Sequence, residues 1–163
     1  MIELQDLVKR FGDLAAVNHV DLTVKSGEFF CVLGPNAAGK TTTIKMIVGL
    51  IRPTSGTIRV CNLDVQEQPV EVRRRMAYVP DFPFLYDKLT PMEFFRFTGR
   101  LFGMEEDLMD ERTQELIPRF SLDSYLDLSI ESLSHGTRQR IAIVSALMHA
   151  PDVFVLDEPM VGL

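Results

Sequence analysis

The stretch Gly34-Pro35-Asn36-Ala37-Ala38-Gly39-Lys40-Thr41-Thr42 limits what this chain can fold into more than any other segment. It has the form G-x-x-x-x-G-K-T. The apolar run Phe29-Phe30-Cys31-Val32-Leu33 precedes it, and Ile44, Ile47, Val48 and Leu50 follow at helical spacing. Strand, glycine loop, helix is the order a phosphate-binding loop requires. Glycines let the backbone curl until successive N–H groups point inward and form a nest for phosphate oxygens. The helix start adds unpaired N–H groups and the positive end of a dipole. In that setting Lys40 brings a mobile cation to the β- and γ-phosphates of a nucleotide, and the Thr41 hydroxyl ligates Mg²⁺. The plain alternative is a glycine turn into a helix with Lys40 merely solvated; the flanking elements favour the phosphate loop.

Bulk composition closes off other classes. At 163 residues, with 46% apolar and 25% charged side chains, the chain is one globular domain's worth of sequence. A formal charge of −6 argues against a nucleic-acid binder working by bulk electrostatics and fits poorly with adhesion to anionic lipid. Arg73-Arg74-Arg75 reads as a solvated helix face. Cys31 and Cys61 lie in apolar strand-like runs without metal-ligand spacing, which predicts buried, reduced thiols. The sequence shows no signal peptide and no membrane span, and predicts a soluble protein.

Strands are predicted at residues 2–8, 20–24 and 28–33, with a turn at Lys25-Ser26-Gly27, and again at 57–60 and 76–79. A short helix is predicted over 70–75. Aromatics then concentrate at Phe82, Phe84, Tyr86, Phe94, Phe95, Phe97 and Phe102. Thr90 as N-cap and Pro91 at the first helical position open a helix ending near Gly103, and an acidic amphipathic helix covers 107–120. A loop and long helix over 134–150 lead to Val153-Phe154-Val155-Leu156, an apolar strand that delivers Asp157 and Glu158 at its carboxyl end. Ligands of open α/β sheets bind beyond such ends. Asp157 is placed to hold Mg²⁺ or its water, and Glu158 to polarise an attacking water. A strand end capped by solvated acids is the alternative.

Between these motifs lies Leu133-Ser134-His135-Gly136-Thr137-Arg138-Gln139-Arg140. It resembles the LSGGQ signature of ABC-type ATPases: Ser134, Gly136 and the Gln139-Arg140 continuation match, while His135 and Thr137 replace other letters. Ser134 and the following helix start form a second anion-facing terminus. The 94 residues from Lys40 to Ser134 fit an ABC domain with its helical insert. The resemblance covers essentially the whole chain, and it suggests an ATP-binding subunit of an ABC transporter.

That resemblance implies an α/β P-loop NTPase (RecA-like) core with an N-terminal antiparallel β region and an inserted α-helical subdomain. One domain is expected, divided as 1–81, 82–132 and 133–163 and incomplete at its C-terminus, since the family's switch histidine would follow Leu163. ATP and Mg²⁺ are the implied cofactors. Gly34 to Thr42 would hold the phosphates, and Phe11 would stack on adenine unless it is a core phenylalanine. Lys40 and Glu158 would be catalytic; Thr41 and Asp157 would hold the metal, with Asp81 doubtful there. Ser134, His135, Gly136 and Thr137 would face the ATP of a second ATPase subunit. Val161-Gly162-Leu163 looks like the start of the D-loop, and His149 reads as a helix C-terminal cap. The expected partners are that second subunit and a membrane permease at the cytoplasmic face, with no nucleic acid. The aromatic region from Phe82 to Phe102 would partly line the permease groove, or form the core of the helical subdomain. Two departures stand out: Ala37 occupies a usual glycine position, and Asp81 occupies that of the Q-loop glutamine. A soluble ABC ATPase without a permease, and a nucleotide-binding fragment without turnover, are the alternative readings.

Overall fold

Leu4, Leu7 and Val8 are all buried, a spacing that a strand of strict period two cannot place on one face. The chain resolves this with a bulge: β1 (Ile2–Phe11) shifts register between Leu4 and Leu7, and Asp6 there takes φ +49°. His19, also at φ +49°, lies in β2 (Leu14–Val24), and its Nδ1 sits 2.5 Å from Asp6 Oδ1. The computed structural model describes residues 1–157 of the chain, which fall into two units, 1–76 and 77 onward.

In the first unit β1 and β2 form an antiparallel hairpin closed by the Phe11↔Leu14 pair. The sheet continues through β3 (Ser55–Val60) and β4 (Leu63–Asp64) in the order β2-β1-β3-β4. Helix α1 (Lys40–Ile47) buries Met46 and Ile47, which join Leu7, Ile58 and Val60 among the unit's buried residues. Helix α2 (Pro69–Arg75) begins with proline and buries Val72, leaving its three arginines exposed.

The strand expected at 28–33 does not form. Phe29 is 94% and Leu33 88% exposed, and Lys25 to Gly39 is loop. The turn at Lys25-Ser26-Gly27 is present, with the Lys25 N–H donating to the Glu28 carboxylate at 2.8 Å. A continuous apolar run is extended and buried only where neighbours pair both its edges and cover both its faces. None of the four strands of this sheet pairs with it. The prediction of buried thiols fails too: Cys31 is exposed on this loop, and Cys61, directly after the strand at 55–60, is half-buried at a left-handed position, φ +51°.

In the second unit β5 (Met76–Val79) is paired with β6 (Val153–Leu156). Helices α3 (Pro91–Leu101), α4 (Glu106–Arg119) and α5 (His135–Leu147), with single 3₁₀ turns at Asp123–Tyr125 and Ile130–Ser132, build the core. Phe95, Leu122, Ile130, Ile141, Val144 and Met148 are fully enclosed there. Helices α3 and α4 approach closely at Gly99, where a Cβ would lie 2.3 Å from Met109 Sδ. Arg112 donates to Leu147 O (2.9 Å) and Met148 O (3.4 Å), so a guanidinium closes the end of α5. The His149 ring, expected at the helix end, stacks on Phe102 with centroids 3.8 Å apart. Of the aromatics weighed between permease groove and core, Phe94 is buried while Phe97 and Phe102 are each 39% exposed. Among the described residues no helix is long and apolar enough to cross a membrane.

The start of α3 is a reciprocal capping box: Thr90 Oγ1 accepts from the Glu93 N–H, and the Glu93 carboxylate accepts from the Thr90 N–H at 2.8 Å. The backbone bond from Thr90, then the bond from its hydroxyl, hold the Glu93 carboxyl below the usual glutamate range. A depressed folded-state value means that Glu93 stabilises at neutral pH and loses that contribution as pH falls through its folded value. The denaturation midpoints of wild type and Glu93→Ala should therefore differ most near pH 7 and converge in acid; a gap that widens in acid would contradict this.

Candidate nucleotide site

The loop Gly34 to Ala38 lies open to solvent and enters α1 through Gly39. Gly39 has φ +84°, and a Cβ there would lie 2.3 Å from the carbonyl oxygen of Ala16, so any side chain is excluded both by conformation and by space. No side chain caps α1, which leaves the N–H groups at its start available to an anion. The carbonyl of Gly39 is taken internally, accepting from Thr43 N (2.8 Å) and Thr43 Oγ1 (3.0 Å). Lys40 folds back over the loop and donates to Gly34 O (2.7 Å) and Pro35 O (2.8 Å). Its ammonium therefore spans the concavity of the loop on bonds that an arriving phosphate can replace. Thr41 and Thr42 are half-buried in the first turn of α1. Phe11 ends β1, 52% exposed, with Lys9 Nζ 5.0 Å from its ring centroid; it is not a core residue.

Ala37 takes φ +64°, the left-handed conformation that alanine adopts only at a cost of about 1–2 kcal/mol. Ala37→Gly removes that strain but frees the unfolded chain, so a net gain of up to about 1 kcal/mol is expected in urea denaturation. A loss of stability would show that the loop does not require this conformation.

In the second unit, Ser134 is the N-cap of α5 and its hydroxyl accepts from Thr137 N at 3.3 Å. Thr137, a departure from the signature pattern, is 4% exposed, with its Oγ1 2.9 Å from Ser134 Oγ. Arg140 Nη2 donates to Thr137 Oγ1 (3.2 Å) and Nη1 to Phe120 O (2.8 Å). Arg138 pairs with Asp87 at 2.6 Å. The exposed His135 ring lies 6.3 Å from that of Phe82 and borders a cleft of about 330 Å³ lined by Phe82, Pro83, Leu133, His135 and Arg138. Gly136, half-buried, completes the first turn.

Asp157 follows β6 directly, 8% exposed, and its N–H donates to Val79 O at 3.0 Å. Asp81, two residues past β5, has one carboxylate oxygen sealed from solvent with no hydrogen-bond partner. The Tyr78 phenol feels both groups: burial first, then the Asp157 charge, then that of Asp81, push it above the usual tyrosine value. Sequence reasoning missed that the charges of Asp157 and Asp81 both reach Tyr78, and the bonds of Arg140. Glu158 and Val161-Gly162-Leu163 lie outside the described residues. The phosphate-loop residues thus come together in the first unit; the signature residues, and separately Asp81 with Asp157, come together in the second.

A glycine loop entering an uncapped helix, a serine-capped helix, and a buried aspartate at a strand end define a nucleotide-binding P-loop protein. Residues 17–161 match the ABC transporter family, and the chain belongs to it. It is 39% identical over 163 residues to the probable multidrug ABC transporter ATP-binding protein YbhF of Escherichia coli, covering all of this chain and 28% of that protein. The chain thus spans under a third of that relative's length. A solved ATP-binding subunit of an ABC transporter superposes with a TM-score of 0.93 at 33% identity, over all of this chain and 68% of that one. A dimeric ATP-binding cassette in a post-hydrolysis state, bound to ADP and Pi, superposes with a TM-score of 0.86 at 26% identity, over all of this chain and 76% of that one. The fold is that of the ABC ATPases, a P-loop NTPase fold with an antiparallel β region and a helical region.

Proposed function

We propose that this chain is the ATP-binding and ATP-hydrolysing part of a subunit that energises a membrane permease. The observation that carries the reading is the exposed loop with Lys40 held across it, in front of a helix start that no side chain caps. Gly34 to Thr42 hold the phosphates and Phe11 offers its exposed ring to adenine. Thr41 in the first unit, and the buried Asp157 and Asp81 with its partnerless oxygen in the second, each offer the kind of oxygen donor that a hard divalent cation takes. When bound, Mg²⁺ offsets phosphate charge; Glu158 orients and deprotonates the attacking water. Ser134, His135, Gly136 and Thr137 face the nucleotide of a second ATPase subunit. Both units are read as parts of one ABC ATPase domain, divided as 1–81, 82–132 and 133–163.

Exposed Phe82, Phe84, Tyr86 and Phe97 support a protein-docking face. The rings of Phe84 and Tyr86 lie 5.6 Å apart, and those of Tyr86 and Phe97 5.2 Å. This face receives the permease, which places the subunit at the cytoplasmic side of a membrane. The −6 charge disfavours a nucleic-acid partner. The test is sedimentation of the full-length protein with and without ATP. The mass should double with nucleotide, and Ser134→Ala should weaken the association severalfold. A wild-type protein that stays monomeric at saturating ATP would refute the shared site.

A further inference from the structure

We infer that Lys9 is a positioning residue for the nucleotide base: it holds one side of the Phe11 ring and leaves the other side to adenine. Residues two apart on a strand project from the same face, which brings Lys9 and Phe11 together at the end of β1. Lys9 Nζ lies over the ring, 5.0 Å from its centroid, and donates to Arg52 O at 2.7 Å. The segment carrying that carbonyl is itself fastened. Thr54 N donates to Val8 O at 2.8 Å and Arg10 N donates to Thr54 Oγ1 at 2.9 Å, so it is pinned to β1 on both sides of Lys9. Among the described residues no carboxylate forms an ion pair with the Lys9 ammonium.

Aromatic rings carry negative faces, which penalises direct face-to-face stacking. A cation over one face draws electron density toward itself and closes that face to a ligand. The opposite face then meets a base with less repulsion, on a ring that no longer turns freely. The hairpin end also adjoins the phosphate loop. Phe11 and Arg10 pair with Leu14 and Ala15, and the next residue, Ala16, places its carbonyl oxygen 2.3 Å from where a Cβ on Gly39 would lie. This role of Lys9 rests on the reading of Phe11 as the surface that stacks on adenine.

The test is isothermal titration of ATP, and of inorganic tripolyphosphate, which has no base, into the full-length protein. Lys9→Met keeps the stem and removes the charge; it should weaken ATP binding about two- to fivefold and leave tripolyphosphate binding unchanged. Lys9→Arg keeps a cation that stacks on rings and should bind ATP as wild type does. Phe11→Ala should weaken ATP about fivefold or more, and in that background Lys9→Met should have no further effect. Circular dichroism identifies a Lys9→Met protein that fails to fold, and Lys9→Gln then takes its place. Equal or higher ATP affinity in Lys9→Met, or an equal loss for ATP and tripolyphosphate, overturns the role of Lys9 and leaves that of Phe11 standing. Unchanged ATP affinity in Phe11→Ala removes the adenine surface, and the role of Lys9 with it.

Discussion

Lys40→Ala should lower ATP affinity by about a hundredfold or more, from the loss of charge-assisted bonds worth about 1.5–3 kcal/mol each. The free ammonium already has two acceptors, Gly34 O and Pro35 O, and gives them up only for something better. Phosphate oxygens are better because they are charged. The N–H groups of the loop and of the α1 start stay in place in the variant, so residual weak binding is expected. Alanine is also a strong helix former at the first position of α1, and circular dichroism should be unchanged. Lys40→Arg serves as a second variant: it keeps the charge on a larger, planar head that the tight loop does not accommodate, and intermediate affinity is expected. Unchanged affinity in Lys40→Ala would remove the loop from the nucleotide site. Isothermal titration measures all three.

Phe95→Ala should destabilise the second unit by about 3–5 kcal/mol, the cost of deleting a fully buried ring and leaving a cavity. Phe95 is 0% exposed within a cluster that includes Phe94, Leu116, Leu122, Ile130, Ile141 and Val144. Set against a typical total stability of about 5–15 kcal/mol, that loss consumes much of the folded state's margin. The neighbouring Phe97, 39% exposed on the same helix, is the control, and Phe97→Ala should cost far less. Urea unfolding followed by tyrosine fluorescence measures both. Equal midpoints for the two variants would show that Phe95 is not the anchor of this core.

What the sequence made legible was local. Thr90 and Pro91 carry their helix-start chemistry in adjacent residues, and α3 begins where they place it. Val153 to Leu156 ends at an acid and a proline, and β6 has those bounds. Gly34 to Thr42 is contiguous, so its chemistry needed no tertiary information. What the sequence did not show depends on partners distant in the chain. Phe29 to Leu33 has the composition of a buried strand, yet burial is decided by neighbours, and the sheet pairs other segments. The lower half of β2 was missed because Asn18 and His19 interrupt its apolar alternation at the bulge. His149 was read from its place near a helix end, and its stacking on a ring 47 residues earlier in the sequence was not foreseen. Asp81 was doubted as a glutamine replacement; its nearness to Asp157 arises only when β5 and β6 pair.

The hydroxyls at the start of α5 can donate in either of two directions. Arginine can only donate, so Arg140 fills one acceptor site on Thr137 Oγ1 and leaves a second open to Ser134 Oγ, 2.9 Å away. The serine oxygen also accepts from the Thr137 N–H. With Thr137 donating to Ser134, the serine hydrogen is left to face outward; with Ser134 donating to Thr137, it is not. An oxyanion arriving at this helix start would select the first arrangement, and a part-buried guanidinium six residues along the chain holds the pair in place for that choice.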